Sequence, residues 1–244
     1  MSLTKEAIEK IQESSIKPEE RIVESEGRLF SFDNNGSRSE IKRRVVEVFA
    51  TNTLTSIVEY IKDIDYKDER LYLHIEDPWT VTLFSSLKDD NTHDLLIQAK
   101  PIIPSFEYNR FMSAETLIIQ IQSKFLPSDD KDILLKFLGN IKDENVKNTG
   151  DDGVSQQMTV KSGVTTLAEV KVPNPVVLTP FRTFHEVPQP ASTFIFRMHK
   201  SNDEATGALF EADGQSWKLD AIQNIKEFLS VSLAEVKQKI VILA

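Results

Sequence analysis

The sequence contains no cysteine. Disulfides, thiolate zinc sites, iron–sulfur clusters and cysteine nucleophiles are therefore excluded together. Glycine is scarce, eight residues in 244, and none falls in a phosphate-cradling pattern. GxxxxGK[ST] is absent, since Lys161-Ser162 follows Val160 where that motif needs glycine. GxGxxG and GxSxG are absent too, which removes the ordinary dinucleotide site and the nucleophile elbow. No stretch approaches the roughly 18 uninterrupted apolar residues of a membrane span. Met1 to Gln12 is charged every few positions and lacks the apolar centre of a signal peptide, so a cytoplasmic protein with no membrane partner is expected.

What is present is an ordinary globular composition, 40% hydrophobic and 27% charged. A chain this long can bury about 70% of its unfolded surface, enough for a core without staples. The formal net charge of −9 argues against broad phosphate binding, so nucleic acid is not expected as the main partner.

Hydrophobic periodicity orders the chain. Thr4 can cap a first helix that Pro18 closes, and Arg21 to Phe32 reads as a hairpin around Gly27. Arg44 to Phe49 reads as a strand. Thr53 precedes Leu54, Ile57, Val58 and Ile61, the i, i+3, i+4, i+7 stripe of an amphipathic helix. Strands are then predicted at Leu71–Ile75, Val81–Leu87 and Leu95–Ile97. Ser113 and Ser128 begin two central helices, the second carrying Asp129, Asp130 and Asp132 where carboxylates suit the helix dipole.

Lys142 to Gly163 is almost devoid of apolar residues and reads as a loop or boundary. Five of the ten prolines, at 173, 175, 180, 188 and 190, then bracket predicted strands at Val176–Leu178 and Phe181–Val187. Strands at Phe194–Met198 and Ala208–Glu211, a helix capped by Ser216 and a final strand at Lys239–Ala244 complete the pattern. The expected fold is α+β and mostly antiparallel. An N-terminal α/β lobe over 1–142 ends in a helical pair. A polar loop follows at 143–163, and a β-rich lobe over 164–244 carries one helix, unless the whole is one compact domain.

Few side chains suggest chemistry. His185-Glu186 begins like HExxH, but Gln189 and Pro188 break the pattern. The Asp143 to Val154 stretch fails as a calcium loop, with Lys147, Asn148 and Val154 at required positions. His93-Asp94 matches paired metal ligands only as a dipeptide and reads better as a polar turn. Asp152 with Glu169-Val170-Lys171 has the acid, acid-x-lysine spacing of restriction-endonuclease-like nucleases. There two carboxylates hold a divalent metal and the lysine helps activate water. Magnesium is the only cofactor this implies, and no other catalytic or metal site is expected. For binding, the predicted strand Phe181–Val187 would place Arg182, Phe184 and Glu186 on one face.

Three passages are distinctive: Asn140 to Gln157, Val172 to Val187 leading into Phe194-Ile-Phe-Arg, and Leu209 to Ala221. Together they resemble uncharacterised phage and prophage proteins of Gram-positive bacteria, distantly similar to the YfdQ-like prophage family. The resemblance implies a phage accessory protein and carries no catalytic residues with it. The resulting expectation is a protein that binds host machinery, defence systems included, phage replication or recombination proteins, or a small signal. A nucleic-acid enzyme using Asp152, Glu169 and Lys171 is the alternative. The apolar ending Ile240-Val241-Ile242-Leu243-Ala244 should lie either centrally in a sheet or at a homodimer edge.

Overall fold

A computed structural model describes residues 4–6, 10, 22–25, 28–32, 37–41, 47–64, 70–88, 91–142, 149–151, 156–162, 166–171, 174–201, 204–236 and 239–244. The predicted first helix, the start of the Arg44–Phe49 strand and Asp152 fall largely or wholly outside these residues. The described residues form an α+β fold of four sheets and four helices, mostly antiparallel, with the helices concentrated in the middle.

Two small sheets stand apart in sequence. Strands β1 (Ile22–Ser25), β2 (Arg28–Phe32) and β3 (Arg38–Glu40) form an antiparallel meander that includes the expected hairpin. Strands β9 (Thr149–Asp151), β10 (Gln156–Ser162) and β11 (Thr166–Lys171) form another. The second corrects the expectation of loop across 143–163. Gln156–Ser162 is polar yet includes β-branched Thr159 and Val160, and it pairs along its length with Thr166–Lys171. Pairing of the backbone, not apolar patterning, makes these strands legible.

The largest sheet has the order β15-β5-β6-β7-β4. It comprises β4 (Phe49–Thr51), β5 (Leu71–Asp77), β6 (Thr80–Ser85), β7 (Leu95–Ala99) and β15 (Ile240–Leu243). Its centre is antiparallel, and both edge strands run parallel to their neighbours. Alternation puts Leu71, Leu73, Ile75, Val81 and Leu83 on one face, all buried. Two helices cover that face: α1 (Leu54–Asp63) and α4 (Trp217–Ser232). The α1 stripe Leu54, Ile57, Val58 and Ile61 is buried as its spacing requires. Each such side chain contributes about 1.5–3 kcal/mol by leaving water.

A second core lies between α2 (Ala114–Lys124), α3 (Asp129–Lys142) and a sheet of order β12-β13-β14-β8. Its strands are β8 (Met112–Ser113), β12 (Val176–Leu178), β13 (Ser192–Ser201) and β14 (Glu204–Glu211). The α2 helix lies close against β14, because a Cβ built on Gly207 would stand 2.7 Å from Leu117 Cδ2. Ser113 caps α2 through Thr116 N, and Ser128 caps α3 through Lys131 N, as read from the sequence. Ser216 also precedes its helix, but its side chain makes no cap bond there.

Each core draws on residues from both sides of 143–163. The first combines positions 54–99 with Phe184, Val187 and the α4 residues; the second combines 117–138 with 176–209. The C-terminal β15 and α4 complete the N-terminal sheet, so the halves of the sequence interleave. Strand β15 takes an edge position, pairing only β5 among the described residues, and its side chains are half-buried or exposed. The central placement considered for it is thereby excluded.

Candidate functional site

Residues 179–190, which contain the expected binding strand Phe181–Val187, form no strand beyond an isolated bridge between Phe125 and Pro180. The prolines at 180, 188 and 190 remove backbone donors from any ladder. The interior of the loop is instead closed by Gln189. Its Oε1 accepts from the amides of Arg182 and Thr183 at 2.9 and 3.1 Å, and its Nε2 donates to the carbonyls of Phe184 and Val187. One side-chain amide thus does what a neighbouring strand would do.

This loop straps the two cores together. On one side Leu126 N donates to Thr179 O at 2.8 Å, and Phe181 N to Lys124 O at 3.0 Å, tying it to the end of α2. On the other, Phe184 and Val187 insert into the core of the large sheet. Thr183 Oγ1 donates to Pro78 O at 2.6 Å, Trp79 Nε1 to Arg182 O at 2.7 Å, and Asn224 Nδ2 to Pro188 O at 2.9 Å.

The three residues proposed for binding are placed separately. Phe184 is fully buried. Glu186 reaches the N-terminus of α1, where Oε1 accepts from Leu54 N at 2.8 Å and Thr55 N at 3.3 Å. Arg182 is 6% exposed and turns to the opposite side. Its Nη1 donates to Glu211 Oε1 at 2.7 Å, and its Nη2 to Ser192 Oγ. Its guanidinium carbon lies 4.1 Å from the centre of the Trp217 ring and 5.5–5.7 Å from those of Phe194 and Tyr108. Burial lowers the Arg182 pKa, opposed by Tyr108, Glu211 and Asp213. The same burial pushes the Tyr108 phenol up to about 12, against the pull of Arg182. The residue types around Arg182 were not legible as a site, because Tyr108, Glu211, Asp213 and Trp217 come from four separate elements or turns.

For the nuclease alternative, Glu169 and Lys171 stand two apart in β11, paired with Thr159 and Gln157 of β10. Asp152 lies outside the described residues. His93 donates from Nδ1 to Ser85 O at 2.9 Å; Asp94 pairs with Lys88, its amide donates to Ser85 Oγ at 2.9 Å, and its carbonyl accepts from Ser85 N at 3.0 Å. That is the polar turn expected before β7.

A surface not foreseen lies on the face of the large sheet opposite α1 and α4. Tyr72 and Phe84, directly paired across β5 and β6, stack with ring centres 5.7 Å apart. His74 and His93 meet the edges of Phe84 at 6.4 and 5.1 Å. Register sets Val241 beside Tyr72 and Leu243 beside His74. A polar ladder adjoins this patch: Thr82 Oγ1 donates to Glu76 Oε1 at 2.7 Å, and Gln98 Nε2 donates to Thr82 Oγ1 at 3.1 Å. Tyr72, His74 and Phe84 are half-buried, so their rings are packed into a fixed platform while part of each stays accessible. The signal was available in the sequence, since these positions alternate with the buried leucines of β5 and β6.

Among the described residues no helix is long and apolar enough to cross a membrane. No family model matches the chain, and no curated protein or solved structure matches it either.

Proposed function

We propose that this chain is a phage-encoded accessory protein of the host cytoplasm that acts by binding. Its partners are host machinery, defence systems included, or phage replication and recombination proteins. The phage assignment rests on the sequence resemblance alone. The observation that supports binding is the platform of Tyr72, His74, Phe84 and His93, with Val241 and Leu243 beside it. Accessible aromatic side chains held rigidly lose little entropy on association and bury large apolar areas. The net charge of −9 suits a protein partner better than a phosphate backbone.

Affinity purification from phage-infected cells tests this reading, comparing wild type with Phe84→Ala and His93→Ala. Recovery of a defined phage or host protein by wild type, lost with Phe84→Ala, is the expected result. Recovery that is the same for all three proteins removes the platform from the proposal. A DNA-cleavage assay with magnesium or manganese separates the alternative: cleavage abolished by Glu169→Ala and Lys171→Ala would replace binding with nuclease chemistry.

A further inference from the structure

One carboxylate on the platform face of the large sheet is held in place and left without a counter-charge. The β5–β6 register steps from Ile75, paired with Val81, to Asp77, paired with Thr80, so Glu76 is an extra residue with nothing opposite it. Glu76 is exposed, yet it is not loose. Gln98 Nε2 can only donate, and it binds Thr82 Oγ1 at 3.1 Å. The single hydroxyl hydrogen of Thr82 is therefore directed to Glu76 Oε1, at 2.7 Å. Thr82 itself is only 3% exposed, so the ladder anchors the carboxylate from within the sheet. A neutral acceptor would satisfy Thr82 equally well. The charge of Glu76 is what this ladder leaves unexplained.

The neighbouring carboxylates are already engaged. Asp94 is paired with Lys88, and Asp77 accepts Trp79 N at 2.7 Å within its own turn. Glu76 has no cation among the described residues. On the same face His74 stands two residues along β5, roughly 7 Å away, followed by Tyr72 with Phe84 beside it. These three are half-buried, and Leu95 and Leu243 at the two sides are 39% and 40% exposed, so the face is open. An anchored carboxylate beside aromatic rings complements one side chain above others. A guanidinium takes a carboxylate through parallel N–H donors, stacks on aromatic faces and is less strongly hydrated than an ammonium. Its apolar stem lies along rings while its head reaches the charge.

We propose that the protein partner of this platform docks an arginine on Glu76, with the arginine stem over His74 and an adjoining apolar residue over Tyr72 and Phe84. The inference rests on the platform reading of the proposed function and adds to it the chemistry of the partner, an arginine flanked by apolar side chains. The net charge of −9 favours such a partner over an acidic one.

The probe is the peptide acetyl-Leu-Arg-Leu-amide, titrated into the full chain and followed by the aromatic ring signals of Tyr72, His74 and Phe84 in NMR. Its citrulline counterpart keeps the shape and loses the charge. The expected result is a saturable shift at these rings, with the citrulline peptide binding about fivefold more weakly, the upper end of what an exposed ion pair gives. Glu76→Gln keeps an acceptor for Thr82, and with it the ladder, and should abolish the difference between the two peptides. Equal binding of the two by wild type, an arginine preference that survives Glu76→Gln, or no saturable shift at the three rings would overturn the proposal. A lysine counterpart that binds as tightly would overturn the choice of guanidinium. The infected-cell capture separates this failure from failure of the platform. A partner lost with Phe84→Ala but kept by Glu76→Gln would leave the platform standing without its arginine, whereas a partner kept by both variants would remove the platform itself.

Discussion

Glu186 Oε1 accepts the backbone amide of Leu54 at 2.8 Å, joining the strap to the first turn of a helix 132 positions earlier in the chain. The contact places a carboxylate where helix α1 leaves donors unpaired and where the macrodipole is positive. Thr53 supplies the ordinary cap through Ser56 N, so Glu186 satisfies donors that Thr53 does not reach. Glu186→Ala should cost about 1–2 kcal/mol of stability, and Glu186→Gln, which keeps an acceptor, roughly half as much. Urea unfolding measures both. An alanine variant as stable as wild type would mean the contact is incidental.

Arg182 tests the opposite end of the strap. Removing one partner of a buried ion pair costs about 3–5 kcal/mol, because the other is left uncompensated. Arg182→Met strands Glu211 Oε1 and Ser192 Oγ, and should fall in that range or fail to fold. The double change Arg182→Met with Glu211→Gln should recover part of the loss. Stability losses that simply add would show that the two residues are not coupled.

The two ends of the strap also show what was legible in the sequence. Local pattern carried the helices and most strands of the large sheets. The stripe of α1, the serine caps of α2 and α3, and the alternation of β5 all follow from spacing that neighbouring residues enforce. Phe181–Val187 alternates just as well, yet forms no strand. Gln189 satisfies the amides of Arg182 and Thr183, and no spacing rule shows that an amide eight residues from Phe181 will fold back to do so. The Arg182 cluster was hidden for a related reason, since its members meet only after both cores form. Nothing local distinguishes Trp217, a helix residue at i, from any other apolar position of α4.

Tyr108 gives the strap a titration. Its pKa is raised to about 12, first by burial and then by Glu211 and Asp213, while Arg182 pulls it down. The unfolded phenol titrates near 10. The native state therefore keeps its proton longer than the unfolded chain. Stability from this group is complete below about pH 10 and is lost as pH rises toward 12. Thermal unfolding at about pH 9 and pH 11 should show a steeper loss for wild type than for Tyr108→Phe. Near neutrality Tyr108→Phe should cost little, because the hydroxyl has no protein partner to lose. Identical pH dependence in the two proteins would place Tyr108 outside the buried cluster.

The edge strand β15 carries the last prediction, self-association. Ile240 and Ile242 pack toward the first core, while Val241 and Leu243 lie on the platform side beside Tyr72 and His74. Among the described residues its second edge pairs with no strand, and none of its four side chains is charged. Such an edge lacks the lysine, proline or bulge that normally deters pairing. A second copy satisfies it without any charge complement, because a two-fold axis sets the same four apolar residues antiparallel to themselves and extends both platforms into one surface. Light scattering on the eluting protein should therefore give a dimer at micromolar concentration. Val241→Lys should shift it to monomer, since the axis brings two like charges together while the core-facing isoleucines are untouched. Hydrogen exchange at residues 240–243 should quicken in the same variant. A wild-type monomer with rapidly exchanging amides at these positions would refute the edge pairing.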